Sequence, residues 1–345
     1  MGKNYSKNLY IERLRLNNIN KLDLNIKIKD KDILFKSIIN SIAFDIESNL
    51  NPLSKNIRPV CYIAIESSKA VAYIILTPNN SKGTCWSINF PTFISQPLNF
   101  SNQNIIQKLI QKIVNIEGDI NRSILISLKT TENQNLSIIR ELGFQPLKIM
   151  KIWRESKYLL DNCYKIYSDN AQLGISIENL SKRNALETWK LQKAKQSIHL
   201  RNILDQHWID LLQVNKPKNK VITSNNNKSV IAAFLNPIYH NGTKSLEIIR
   251  DISWDSRLDF ALPKMIYELY SQETKLTLET SSEDINLSNL LTKVGLIDYE
   301  ERILLGRTIW RQQKTKEKLI NELPTINSLM GDLAGQQPQM PAQYT

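Results

Sequence analysis

His199 and His207 lie about two helical turns apart in the stretch SIHLRNILDQHWIDLL, with Asp205 and Asp210 close by. Imidazoles and carboxylates in one helical stretch are the residue types that hold a metal ion. The spacing, however, is not that of His-Glu-x-x-His, which sets two ligands on one helix face, and no metal site is expected. Cys61 and Cys85 stand among apolar strand residues and read as buried thiols, not nucleophiles. Trp86, Trp153, Trp254 and Trp310 could line a pocket, yet tryptophans in strands more often pack between sheet and helix. The stretch SLEIIRDISW carries two carboxylates, Glu247 and Asp251, on or beside a strand, and a proton acceptor could be drawn from them. A strand residue facing solvent would look the same.

The elements that position these residues come in two similar series. ENQNLSIIRELGFQPLKIMKIWRES (132–156) reads as a loop, an amphipathic helix, a Gly-Phe stop and a strand. EDINLSNLLTKVGLIDYEERILLGRTIWRQQ (283–313) repeats that order with a longer final hairpin, and Gly143 and Gly295 are the candidates to end the two helices in a left-handed conformation. Further back, SKAVAYIILTPNNSKGT (68–84) matches NKSVIAAFLNPIYHNGT (227–243). Lys69, Val71, Pro78, Gly83 and Thr84 fall on Lys228, Val230, Pro237, Gly242 and Thr243 at one constant offset. YIERLRL and SIENLSK open the two series with Ile-Glu-x-Leu. Four anchors in one order indicate an internal duplication. Each series predicts a strand, a helical stretch (Asp30–Ser48, Lys182–Gln213) and three strands. A helix, a strand and the closing helix–strand pair follow. Pro263 is placed early in its helix, where a missing N–H matters least.

With 345 residues and 41% hydrophobic side chains, the chain can build two cores of ordinary size. No apolar run approaches the roughly 20 residues of a membrane span, and the basic opening residues have no apolar stretch behind them, so neither membrane nor leader is expected. Three widely separated cysteines argue against disulfides or zinc and for a reducing, cytoplasmic setting. The net charge of +12 invites a nucleic-acid partner. Lys, Asn and Ile are enriched throughout, no dense basic run appears, and nucleic acid is not the expected ligand.

The order of elements, closing on IIRELGFQPLKIMKIW, resembles the GNAT superfamily of acyl-CoA-dependent N-acetyltransferases, present twice, over residues 9–156 and 174–312. The resemblance implies an α/β (α+β) fold of two GNAT-like domains in tandem, each a twisted mixed sheet flanked by helices. Residues 1–160 and 161–312 are the two expected domains, and 313–345 a short charged helix and a disordered tail. TINSLMGDLAG within that tail has the spacing of a short helix for a protein partner.

The resemblance also implies acetyl-CoA or another acyl-CoA as co-substrate, no metal, and an amine acceptor, small molecule or protein. The family holds the CoA pyrophosphate on an Arg/Gln-x-x-Gly-x-Gly/Ala loop, where glycines let the backbone approach and a helix N-terminus offers N–H groups. The matching loops carry Gln96, Asn99 and Ser101 in the first series and Ser256, Arg257 and Ala261 in the second. Both keep the leading polar residue and lose the glycines. The tyrosine that protonates the leaving thiolate is replaced by Ile139 and Leu291. Only the second series offers carboxylates for the base, Glu247 and Asp251. Two functions follow: an N-acyltransferase working through the second series, or a degenerate GNAT fold serving as a binding or interaction module.

Overall fold

The computed structural model describes residues 9–21, 34–39, 58–117, 123–168, 174–213, 219–225, 228–237, 245–272 and 276–308. The expectations for Trp310 and for 313–345 fall outside them, as does most of the helix expected over 30–48.

The first series runs β1 (Leu9–Arg13), a 3-10 turn (Leu16–Lys21), α1 (34–39), β2 (Val60–Glu66), β3 (Lys69–Pro78), β4 (Cys85–Ile88) and a short β5 (Thr92–Phe93). It continues with α2 (Asn102–Glu117), β6 (Ser123–Lys129), α3 (Asn133–Glu141) and β7 (Gln145–Glu155). The second opens with α4 (Leu159–Ser168) and β8 (Ile175–Asn179), then α5 (Ala185–Lys195), α6 (Ile198–Leu204) and α7 (Trp208–Gln213). There follow β9 (Lys220–Ser224), β10 (Val230–Leu235), β11 (Ser245–Arg250), α8 (Leu258–Gln272), β12 (Thr277–Ser281), α9 (Ile285–Val294) and β13 (Leu296–Thr308).

All described strands join one sheet in the order β1-β2-β3-β4-β6-β13-β7-β12-β11-β10-β9-β8, with β5 added beside β3. The order reads alike from either end, β4 against β6 and β11 against β12 being the parallel pairs. The last strand of each series is exchanged. β7 pairs with β12 of the second series, β13 pairs with β6 of the first, and the two run antiparallel to each other at the centre.

Alternation along the strands divides the core between the two faces. In β2, Tyr62 and Ala64 join a core under α2 and α3, whereas Cys61, Ile63 and Ile65 pack on the other face with Leu34 and Ile38 of α1. In β10, Ala232 and Phe234 meet α8 and α9, whereas Ala233 and Leu235 face α5 and α7. The exchange sends side chains into the other series' core. Ile303 and Leu305 of β13 complete the first core, and Trp153 of β7 completes the second, its indole N–H donating to Thr280 Oγ1 at 2.8 Å. Arg307 of β13 donates to the Leu142 carbonyl at the end of α3, and Gly143 beside it has the φ of +85° that such a helix stop needs.

On the opposite face α6 crosses the seam. Leu200, Ile203 and Leu204 pack on Leu125, Met150 and Leu304, drawn from β6, β7 and β13. Glycine at 306 leaves room for this approach: a Cβ there would lie 2.5 Å from Leu147 Cδ1 and 3.3 Å from Ile203 Cδ1, so those side-chain ends would have to shift. The turn after α6 is tied to the turn after β3: Thr84 Oγ1 donates to Asp205 Oδ2 at 2.9 Å and the Ser81 N–H to Asp210 Oδ1 at 2.8 Å.

Three local expectations change. The helical stretch 182–213 divides into α5, α6 and α7, with Ser197 capping α6 by accepting from the Leu200 N–H at 3.2 Å. The final hairpin is one strand, β13, with two register shifts against β7. Pro263 lies inside α8, which starts at Leu258, so the Asp259 carbonyl loses its helical donor. No helix among the described residues is long and apolar enough to cross a membrane.

Trp153→Ala tests the exchange. It should cost about 3–5 kcal/mol, as truncation of a buried aromatic does. Hydrogen exchange should rise first in α4, α8 and β12, not in α2 and α3, although residue 153 belongs to the first series.

Candidate active site

The parallel ladder between β11 and β12 covers only Ser245–Thr277, Leu246–Leu278 and Glu247–Glu279, although β11 continues to Arg250 and β12 to Ser281. Beyond those pairs the strands part at their C-terminal ends, the place where open α/β sheets bind ligands. A cavity of about 360 Å³ opens there. Its lining comes from Glu247–Arg250 of β11, Leu147 and Lys148 of the exchanged β7, the end of α5 with Ser197, and Ser281, Glu283 and Asp284. Both series of the chain therefore build it.

Its floor holds two charge clusters. Glu247, 8% exposed, accepts from the Lys148 ammonium at 2.5 Å. Asp284, the cap of α9, accepts from the Leu287 N–H, from Arg250 at 2.6 Å and from Lys195 at 2.9 Å. Burial works to raise the Asp284 pKa, but the hydrogen bonds from Arg250 and Lys195 outweigh it and hold the carboxyl below its usual value. Arg250 is fixed by the backbone carbonyls of Asp251 and Ile252 and faces the Trp254 ring at 5.0 Å, while its Nε is buried without a hydrogen-bond partner.

Of the residues singled out in the sequence, Glu247 lies in this cavity. Asp251 is exposed outside it and its carboxylate caps the Ile252 N–H at 2.6 Å. Arg257 is engaged by Asp255, with contacts of 3.0 and 2.7 Å, and by Ser224 Oγ at 3.0 Å. Hydrogen bonding to Arg257 holds the Asp255 carboxyl below its usual pKa. Ser256 is exposed, and Ala261 is buried in the core under α8. In the first series Gln96 and Asn99 are exposed, and Ser101 Oγ accepts from the Asn104 N–H at 3.2 Å as the cap of α2. The N–H groups of Leu98 and Asn99, where an anion would sit, donate instead to the buried Glu66 carboxylate at 2.9 and 2.6 Å.

The first loop therefore does not fit a pyrophosphate: the chain's own carboxylate occupies its donors. The second fits in part, since Arg257 would be available only in competition with Asp255. Ile139 and Leu291, where the donor tyrosine is missing, are fully buried in the two cores. Burial pushes the Cys85 and Cys163 thiols up to about 12, and raises Cys61 as well, which leaves them inert at neutral pH. The His207 ring rests against Trp189 and Trp208, and no group of three potential metal ligands occurs among the described residues.

No known family's sequence profile matches the chain, and no curated protein does. Solved structures do. A GCN5-related N-acetyltransferase from Sphaerobacter thermophilus is similar at 11% identity and a TM-score of 0.50, covering 78% of this chain and 86% of its own. A tandem GNAT protein from the clavulanic acid biosynthesis pathway is similar at 8% identity and 0.50, covering 89% and 100%. The chain has the GNAT fold. At such identities the likeness concerns the fold and leaves the chemistry to the residues present.

Within this GNAT fold the sequence pointed to Glu247 but not to Lys148, Lys195, Arg250 or Glu66. Lys148 carried no signal, because it belongs to the series opposite the cavity.

The lowered pKa of Asp284 has a signed consequence. Its pairs stabilise the fold in full above the ordinary carboxylate range, near pH 4, and the contribution is lost as pH falls through the lower native value. Asp284→Asn should cost about 3–5 kcal/mol at neutral pH by leaving Arg250 uncompensated. Urea titrations of parent and variant should begin to converge as pH falls below about 4 and meet only below the lower native value.

Proposed function

We propose that the chain is an acyl-CoA-dependent N-acyltransferase with one working site, the cavity beside β11, and that the first series serves to build it. The observation that supports this is Glu247: a carboxylate on the strand next to the parting, in the cavity, already holding an amine by hydrogen bond. A base so placed takes a proton from an acceptor amine as the amine attacks the thioester carbonyl. The thioester, when bound, supplies the activated acyl group. Arg250, Lys195 and Asp284 form the cavity's second charge cluster, and the exchanged β7 brings Lys148 to Glu247.

A second reading, a GNAT fold that binds without acylating, is supported by one observation: Glu66 and Asp255 satisfy the groups that would hold a pyrophosphate. Calorimetry with acetyl-CoA on the whole chain separates the two. Under the first reading one molecule binds per chain. Asp255→Asn frees Arg257 and tightens binding about fivefold, the worth of one exposed charge contact, more so at low salt. Glu247→Gln should leave binding nearly unchanged and abolish transfer. Absence of binding in both the parent and Asp255→Asn would favour the second reading.

A further inference from the structure

The amine that Glu247 holds is the chain's own. Lys148 reaches from β7 across the space beyond the last β11–β12 pair and places Nζ 2.5 Å from Glu247 Oε1, with its side chain 22% exposed along the cavity. Residues 147 and 148 line the cavity only because β7 is exchanged; among the described residues no strand of the second series brings a lysine to that wall. An ordinary structural ion pair would suit a sheet surface equally well, but this one lies inside the cavity and joins an amine to a buried carboxylate that lines it.

We propose that Lys148 is a site of self-acylation. The inference rests on the acyltransferase reading and takes an acyl-CoA thioester as its only co-reactant. Glu247 accepts a proton from the Lys148 ammonium, and the free amine attacks the thioester carbonyl. The C–N bond forms as the C–S bond breaks, the sulfur leaves with the electron pair, and the second N–H proton passes to it through Glu247 or water. The products are an amide on Lys148, free CoA thiol and one released proton. The amide no longer carries a charge, so Glu247 becomes available to an external amine. Self-acylation would thus also remove an internal competitor from the acceptor position.

The test uses the full-length protein with acetyl-CoA, read by peptide mass spectrometry in native and in urea-unfolded samples. In native protein the Lys148 peptide should gain one acetyl group about a hundredfold faster than the exposed Lys82 and Lys190, the low end of what a positioned base contributes. The advantage should vanish in urea. It should vanish also in folded Glu247→Gln, while Lys148→Arg loses that increment and no other. Glu247→Asp, which keeps the carboxylate but shortens its reach, should retain part of the rate if the carboxylate acts as a base. Labelling of Lys148 no faster than Lys82, with acetyl-CoA bound by calorimetry, would overturn the inference and leave the acyltransferase reading standing. No acetyl-CoA binding by either the parent or Asp255→Asn would overturn both.

Discussion

Ten register pairs join β7 to β13 at the middle of the sheet, and each of these strands also pairs with a strand of the opposite series. A strand left without this arrangement would expose unpaired N–H and C=O groups along the interior of the sheet, which folded proteins avoid. Neither core closes without the exchange. Trp153 fills the second, and Ile303 with Leu305 fills the first. The crossing of α6 over the seam, the glycine at 306 that admits it and the ties from Asp205 and Asp210 all follow from that central ladder.

The same constraint decides where chemistry could occur. The sheet has two places where parallel strands adjoin, β4 beside β6 and β11 beside β12, and the two differ. In the first series Glu66 neutralises the amides of the loop before α2. In the second, the parting of β11 from β12 is lined by charges contributed from both series. Lys148 pairs with Glu247 there, and Lys195 and Arg250 both pair with Asp284, so each of these five charges already has an opposite partner. A ligand entering it must exchange pairs instead of filling a vacancy, which favours a group that carries its own hydrogen-bonding amine.

Much of the strand and helix order was legible, for local reasons. The apolar run VCYIAIE, the amphipathic α2 and the glycines 143 and 295, at φ +85° and +105°, each specify their element with residues close in sequence. The duplicated order followed from matching those elements. The exchange was not legible, because alternation along a strand tells which face is buried and says nothing of which neighbour it pairs with. For that reason Lys148 looked like an ordinary strand lysine. Glu66 was hidden differently: it ends an apolar strand next to a turn, the usual place for a solvated charge, and only the return of residues 98 and 99 buries it. Glu247 stood out in the sequence because its strand position carried the information, and it lines the cavity.

Cutting the chain in the turn between β7 and α4, within residues 156–158, tests the central claim most directly. The exchange predicts that each fragment, produced alone, lacks a cooperative unfolding transition, since its sheet ends at a missing strand. Produced together, the fragments should purify as a one-to-one complex that melts in a single transition. Two fragments that each fold alone, with separate transitions and no association, would contradict the account.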